Sequence, residues 1–328
     1  MTGPLVTVAV IAYNQQDLIE ETLDSVLGQD YGRLQVVVAD DASSDATPEI
    51  LASYQRRYAD RMIVLAGERN LGVTGNCNRA LPACSGELVS FLGGDDILLP
   101  GKVAAQVAWF GVDRQRVLCG HDVEHFEPDG SRWLQSDRQM GPTEGTGPEA
   151  FVANGTLFLA TSVMVRREAI PPWGFDERLL VASDWKLWID CLQGGGTFGY
   201  VPQVLGRYRH HQDSVTVTGR ESCWRDSVMT LALVETEHEE LIGACRKGRS
   251  RVYQERGVQC LLAGERRRAQ NFLSVALTSA LPRSWKLLFW WTLSYLPGSA
   301  GRRFGGMTRQ LARRARARRR SEAESLPA

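Results

Sequence analysis

The 328-residue chain lacks the marks of several familiar protein classes. Its seven cysteines (Cys77, Cys84, Cys119, Cys191, Cys223, Cys245 and Cys260) include no Cys-x-x-Cys pair. Such an odd, scattered set argues against a zinc ribbon or a disulfide framework and suits reduced thiols in a reducing compartment. No apolar run reaches the roughly 20 residues of a membrane-spanning helix. The start, Met-Thr-Gly-Pro-Leu-Val-Thr-Val, has no basic flank and leads into strand-like sequence, so no signal peptide is expected. A glycine-rich, basic phosphate loop is also missing: Ala12-Tyr13-Asn14-Gln15 is unlike one, and Gly72-Val73-Thr74-Gly75 is too short. Internal repeats are absent. The Asn154-Gly155-Thr156 sequon is a chance match in a cytoplasmic protein.

Net charge is absent too, but the zero is a sum of opposites. Residues 1–240 carry 19 Lys and Arg against 34 Asp and Glu, whereas 241–328 carry 19 against 4. An acidic body argues against nucleic acid as its partner, because phosphate binding is dominated by Lys and Arg. The basic end calls for a separate explanation.

What the chain has is alternation. Residues 5–11 form a nearly unbroken apolar, β-branched run, the pattern of a strand buried on both faces. Gln15 to Gln29 then repeats apolar residues at helical spacing, with Leu18, Ile19, Leu23, Val26 and Leu27 on one stripe. Strands are predicted again at 34–39, 62–66 and 87–92, and helices from Thr47 (a candidate cap, with Pro48 at the first helical position), over 74–84 and over 100–110. This spacing implies an α/β fold with a mostly parallel central sheet covered by helices on both faces. From 111 to 220 the pattern is irregular, with short strands at 116–120, 162–166, 198–201 and 204–208 and a helix beginning near Ser183-Asp184-Trp185. Residues 221–281 read as helical.

The segment Leu88-Val-Ser-Phe-Leu-Gly-Gly-Asp-Asp96 carries the most chemistry. A strand delivers two adjacent carboxylates to its own end, where their repulsion and burial would oppose folding. The plain reading is a turn, since Gly-Gly-Asp-Asp suits one. The other is a divalent cation bound through hard oxygen ligands, completed by phosphate oxygens. Ligands of open α/β sheets sit beyond the carboxyl ends of the strands. Tyr13-Asn14, Asp40-Asp41 and Asp95-Asp96 each follow a predicted strand directly, so one rim gathers them all.

In motif order and spacing, residues 5–215 resemble the family-2 glycosyltransferases of the GT-A, Rossmann-like fold. The resemblance rests on Val8-Ala-Val-Ile-Ala-Tyr-Asn-Gln-Gln16, Val36-Val-Val-Ala-Asp-Asp-Ala-Ser-Ser-Asp-Ala-Thr47 and Asn70-Leu-Gly72 through Asn78. It continues in Gly93-Gly-Asp-Asp96, Gly174-Phe-Asp-Glu177 with Ser183-Asp-Trp185, and Tyr208-Arg-His-His211. It implies that Asp41 meets the nucleotide base, with Tyr13 packing nearby, and that Asp40 is structural. It implies that Asp95 and Asp96 hold ribose and a Mn²⁺ or Mg²⁺ ion on the donor diphosphate, with His211 as a further ligand. Asp184 then matches the general base that takes the acceptor proton, as an inverting transfer requires. The metal would stabilise the departing nucleoside diphosphate. Two departures stand out: Gly93 and Ser183 occupy positions where the family often has an acid. The Gln-x-x-Arg-Trp motif of processive synthases is absent, so a single sugar is expected to be added.

Other readings stand beside these. Asp184 could cap its helix, and Arg69 could face the donor or simply solvent. Trp173, in a Pro-Pro-Trp-Gly loop, could stack on an acceptor sugar or pack. A nucleotidyltransferase acting on sugar phosphates and a non-catalytic nucleotide-sugar binding protein are the alternative functions. The expected organisation is a catalytic domain over 1–220 (nucleotide-sugar half 1–110, acceptor half 111–220), a helical extension over 221–300 and a basic tail over 301–328. Ser284–Leu296 holds three Trp, one Phe, one Tyr and four Leu, and nine arginines follow between 302 and 320. Interfacial aromatics beside basic residues suit an anionic membrane surface. A core helix with a solvated arginine run is the rival. The first reading gives a cytoplasmic protein, peripheral at the inner face of the plasma membrane, acting on a glycan or lipid-linked glycan.

Overall fold

The computed structural model describes residues 3–135, 141–212, 214, 218–279 and 285–295. It divides into two compact units, Met1–Pro148 with Thr156–Arg220, and Glu149–Gly155 with Glu221–Ala328.

The first unit opens with β1 (Val6–Ala12), α1 (Ile19–Leu27), β2 (Leu34–Asp40), α2 (Thr47–Arg57), β3 (Met62–Ala66), α3 (Gly72–Ala80), β4 (Leu88–Gly93), β5 (Ile97–Leu98) and α4 (Lys102–Phe110). It continues through β6 (Arg116–Phe126), β7 (Arg132–Gln135) and β8 (Gly145–Thr146). After α5 (Glu149–Asn154), which belongs to the second unit, come β9 (Met164–Arg166), α6 (Ser183–Leu192) and β10 (Thr197–Arg209). The sheet order is β3-β2-β1-β4-β9-β6-β10-β5, with β7 beside β6 and β8 beside β10. β3, β2, β1 and β4 run parallel, as do β6 and β10. β9 lies antiparallel between β4 and β6 and joins the two parallel groups.

The expected α/β class holds, and its first half follows from composition. Val6, Val8, Val10, Val36, Val38, Leu88 and Leu92 are buried on the sheet, with Ile19, Leu23 and Val26 of α1 packed against them. Each such side chain contributes about 1.5–3 kcal/mol on burial. In the second half, the two short strands expected at 198–201 and 204–208 are one strand, β10. Its register against β6 shifts between Val201 and Val204, around Pro202, which has no N–H to donate. Thr47 does not cap α2. Ala46 precedes the helix, and the Thr47 hydroxyl instead accepts from the Gln15 N–H at 2.8 Å, bracing the loop after β1.

The second unit contains α5, α7 (Arg220–Glu237), α8 (Ile242–Ala263), α9 (Arg266–Ser279) and α10 (Trp285–Tyr295). Gly264, at φ +87°, ends α8 and turns the chain into α9. Leu273, Ala276 and Leu287 form its small core with Trp290 and Trp291. The Trp291 indole N–H donates to Ser274 Oγ at 3.0 Å. The sequence pattern places residues 149–155 in the acceptor half of the catalytic domain. They pack here instead, because α8 brings Gly248 against the Val152 carbonyl, where a Cβ would lie 2.4 Å away. Residues 301–328, the expected basic tail, lie outside the described residues.

Candidate active site

The rim is built from loops that follow β1, β2, β4 and β10. Asn14 (φ +49°) and Ala42 (φ +61°) both take left-handed backbone, which costs Ala42 about 1 kcal/mol. The two loops are laced together: Asn14 N–H donates to Ser43 Oγ at 2.8 Å, and Ser44 N–H donates to Asn14 Oδ1 at 2.8 Å. Tyr13 stands 48% exposed beside them. Asp40 is buried and accepts from the Ser43 N–H and hydroxyl, so its side chain shapes the turn.

Asp41 is also buried, and its two oxygens accept from the N–H groups of Leu71 and Gly72, each at 2.8 Å, where α3 begins. A carboxylate suits a helix N-terminus. Arg79 approaches the same carboxylate at 3.4 Å and donates to the Asp40 carbonyl and, at 3.3 Å, to that of Arg69, whose side chain is exposed. Asn76 ties α3 to the ends of β1 and β2 through the Ala12 and Ala39 carbonyls.

α3 also fixes the second half of the site. Thr74 Oγ1 donates to the Leu179 carbonyl at 2.6 Å and meets Ser183 Oγ at 2.8 Å, which holds the first turn of α6. Asn78 pairs with both backbone groups of Phe175, anchoring the loop in which Trp173 stands 67% exposed. Asp184 lies in that first turn. It is half-buried, and its Oδ1 accepts from the Trp185 N–H at 2.9 Å. Burial raises its carboxyl pKa to about 6, which the backbone hydrogen bonds only partly offset. The buried thiol of Cys77 on α3 feels the charges of both acids. Burial first, then the charges of Asp184 and Asp41, push its pKa to about 12.

The Gly93–Asp96 turn is pinned from below. Gly94 N–H donates to the Ile11 carbonyl at 2.9 Å, and Thr22 Oγ1 donates to the Gly94 carbonyl at 2.9 Å. A Cβ at Gly94 would lie 2.2 Å from Gln15 Oε1 and 2.9 Å from Ile19 Cδ1, so a larger residue would have to displace the ends of those side chains. The two acids then diverge. The Asp95 side chain is 21% exposed, and its Oδ2 lies 2.8 Å from His211 Nε2. Asp96 is buried, accepting from the Thr161 hydroxyl on one oxygen and the Arg209 N–H, at 3.0 Å, on the other. Burial and then the charge of Asp95 raise its pKa well above the usual carboxylate range. Arg209 also donates Nε to the Asp95 carbonyl at 2.9 Å, pairs with Glu21 and lies 4.5 Å over the Phe126 ring. His210 turns the other way, to His125 Nδ1 at 2.8 Å and the Trp133 ring.

The rim thus joins Tyr13, Asp41, Asp95 and His211, and α3 links it to Asp184. Arg209, Thr161, Asn76 and Arg79 were not singled out from sequence. Arg209 did stand within the Tyr208–His211 motif, but Thr161 has no local signal.

A carboxylate and an imidazole on a rim, beside a buried second carboxylate, is a donor set that fits a Mn²⁺-class ion. The comparisons agree with this architecture. Residues 7–170 match the profile described as Glycosyl transferase family 2. The chain belongs to that family. An uncharacterized protein of Mycobacterium tuberculosis is 27% identical to this family-2 chain over 256 residues, covering 72% of this chain and 71% of its own length. TuaG of Bacillus subtilis, provisionally named a teichuronic acid biosynthesis glycosyltransferase, is 28% identical over 213 residues, covering 65% and 82%. Among solved structures, S. aureus TarS 1-349 in complex with UDP-GlcNAc superposes with a TM-score of 0.63 at 19% identity, covering 84% of this chain and 81% of that one. The mannosyltransferase PcManGT from Pyrobaculum calidifontis, in complex with GDP-Man and Mn²⁺, gives 0.58 at 19%, covering 95% and 88%. These two likenesses establish the GT-A fold.

Proposed function

We propose that this family-2 chain is a non-processive, inverting glycosyltransferase that moves one sugar from a nucleotide-sugar to a hydroxyl of a glycan or lipid-linked glycan. The observation that carries this reading is Asp184. It is a half-buried carboxyl with its pKa raised to about 6, set on the helix that α3 ties to the nucleotide rim. Such a group is ionised near neutral pH, yet is a stronger base than a solvated aspartate. It takes the proton of the acceptor hydroxyl as that oxygen attacks the anomeric carbon from the face opposite the leaving group. Trp173 offers an exposed ring for the acceptor sugar. Tyr13 and Arg69, both exposed, are assigned to the nucleotide, and Asp41, buried with both oxygens held by the Leu71 and Gly72 N–H groups, has only its remaining lone pairs for the base N–H. Asp95 and His211 hold a Mn²⁺ or Mg²⁺ ion with the diphosphate, and the bound ion supplies charge neutralisation for the leaving group. A UDP-sugar is the proposed donor, supported by the UDP-GlcNAc complex of TarS, while the GDP-Man complex of PcManGT supplies the competing arm of the test.

The chain is proposed to work at the inner membrane face. No helix among the described residues is long and apolar enough to cross a membrane. α10 nevertheless exposes Trp285 (85%), Phe289 and Tyr295, while Leu287 and Leu293 face inward. Exposed aromatics ahead of nine arginines suit adsorption to anionic lipid, each basic residue adding about 1 kcal/mol.

The test is donor hydrolysis by the full chain with UDP-, GDP- and dTDP-sugars in Mn²⁺. Slow release of UDP that stops with EDTA supports the donor and the metal. Release of GDP alone overturns the donor choice, and EDTA-resistant turnover overturns the metal.

A further inference from the structure

Two adjacent carboxylates invite equal roles, yet their surroundings differ. Asp96 is 3% exposed and both of its oxygens are engaged, by the Thr161 hydroxyl and the Arg209 N–H. A Mg²⁺-class ion keeps several waters and needs its ligands to face the diphosphate. Asp95 keeps exposed surface that such an ion can reach, and Asp96 does not.

Asp96 sits between a fixed frame and the strand end that carries His211. On the frame side, Thr161 lies in the short helical turn Ala160–Ser162. Its neighbours are held from β4 and α4. Ser90 Oγ donates to the Val163 carbonyl at 2.7 Å, and Lys102 Nζ donates to Ser90 Oγ. Gln106 Nε2 donates at 2.9 Å to the carbonyls of both Ser162 and Cys119. On the other side, the Arg209 amide is fixed by Asp96, and its guanidinium by the Asp95 carbonyl and Glu21. His211 follows two residues later, against Asp95.

We infer that Asp96 is a positioning residue, anchored by Thr161, whose carboxylate staples the β10 end to the protein core and so sets Asp95 and His211 as the two protein ligands of the metal. The inference rests on the metal-dependent reading above. It assigns Thr161, 65 residues from Asp96 in sequence, a part in metal affinity without contact to the ion. Removing its hydroxyl leaves a buried carboxylate oxygen without its partner, so Asp96 turns and the Arg209 amide loses its acceptor.

Two readouts on the full-length protein test this. One is Mn²⁺ binding in the presence of UDP, followed by electron paramagnetic resonance of the free ion. The other is hydrogen exchange of the Arg209–His211 amides without metal. Thr161→Val is expected to weaken Mn²⁺ about 10-fold, the range of outer-shell substitutions, and to speed exchange at Arg209. Thr161→Ser restores both. Asp96→Ala, which removes both acceptors, resembles Thr161→Val. Asp96→Asn, whose amide can still accept from the Arg209 N–H and donate to the Thr161 hydroxyl, keeps both readouts near wild type. Asp95→Asn abolishes Mn²⁺ binding and leaves Arg209 exchange unchanged. If Asp96→Asn abolishes binding while Arg209 exchange is unchanged, Asp96 is a ligand and the inference is wrong. It is equally wrong if Thr161→Val changes neither readout. A wild-type chain that binds no Mn²⁺ with UDP would overturn the metal reading instead, and the exchange data would still decide the staple.

Discussion

Asp184→Asn separates catalysis from folding at one position. The amide oxygen can still accept the Trp185 N–H, so the start of α6 is kept while the proposed base is lost. Loss of a general base costs about 10²–10⁴-fold in turnover. With a folded pKa of about 6, the wild-type carboxyl is about nine-tenths ionised at pH 7 and about one-tenth at pH 5. Wild-type transfer should therefore rise with pH through about 6 and then level off. Stability should run the opposite way. The unfolded carboxyl ionises near its ordinary value of 3.8, while the folded one keeps its proton until about 6. Between those values the folded state binds more protons, so stability falls as pH rises, and the penalty stays constant above pH 6. Full burial would make that penalty about 3 kcal/mol, and partial exposure lowers it to about 1–2 kcal/mol. The variant carries no such penalty. Urea denaturation at pH 8 should find Asp184→Asn more stable than wild type by about 1–2 kcal/mol, with the difference vanishing near pH 4. A variant that keeps more than a tenth of wild-type turnover, or is less stable than wild type at pH 8, refutes the argument.

Other sites give shorter tests. Gly93→Ala puts a Cβ 2.6 Å from Asp95 Oδ1, so the carboxylate must swing away, and Mn²⁺ affinity should fall more than stability does. Equal losses in calorimetric titration and denaturation would reject that cause. Lys102 is fully buried, and desolvation lowers its pKa from 10.5 to about 7. The unfolded lysine binds the extra proton between those values, so stability should rise by about 2–3 kcal/mol from pH 7 to 9. Lys102→Met should flatten this rise in urea titrations, and an unchanged slope would remove Lys102 as its source. For the membrane surface, truncation after residue 283 should abolish co-flotation with phosphatidylserine vesicles. Because α10 also contributes Leu287 to the core, the paired variant Trp285→Ser/Phe289→Ser checks the surface without removing the helix. Flotation unchanged in both variants would dismiss the contact.

Local sequence carried much of this molecule. The runs Val6–Ala12, Leu34–Asp40 and Leu88–Gly93 are buried on both faces, so unbroken apolar composition marks them without help from distant residues. The rim acids were legible for the same reason, since Asp40 and Asp41 stand at the end of β2 and Asp95 and Asp96 follow β4 within three residues. The acceptor half was harder to read. β9 is three residues long and gains its place only by pairing antiparallel with both β4 and β6. α5, Glu149–Asn154, packs with α8, which begins only at Ile242, and nothing local reveals that.

The Asp95-Asp96 pair shows where local reading ends. Sequence fixes that two carboxylates are adjacent and that their repulsion must be relieved, but relief can come in two ways. A cation can neutralise one, and hydrogen-bond donors with burial can hold the other. In the arrangement inferred above, the choice between them is made by Thr161 and Arg209, 65 and 113 residues from Asp96. Those partners differ in kind: a hydroxyl and a backbone N–H serve a carboxyl in a water-poor interior, whereas the His211 imidazole leaves Asp95 open at the rim. The two aspartates are alike in sequence, and their different neighbours give them different work.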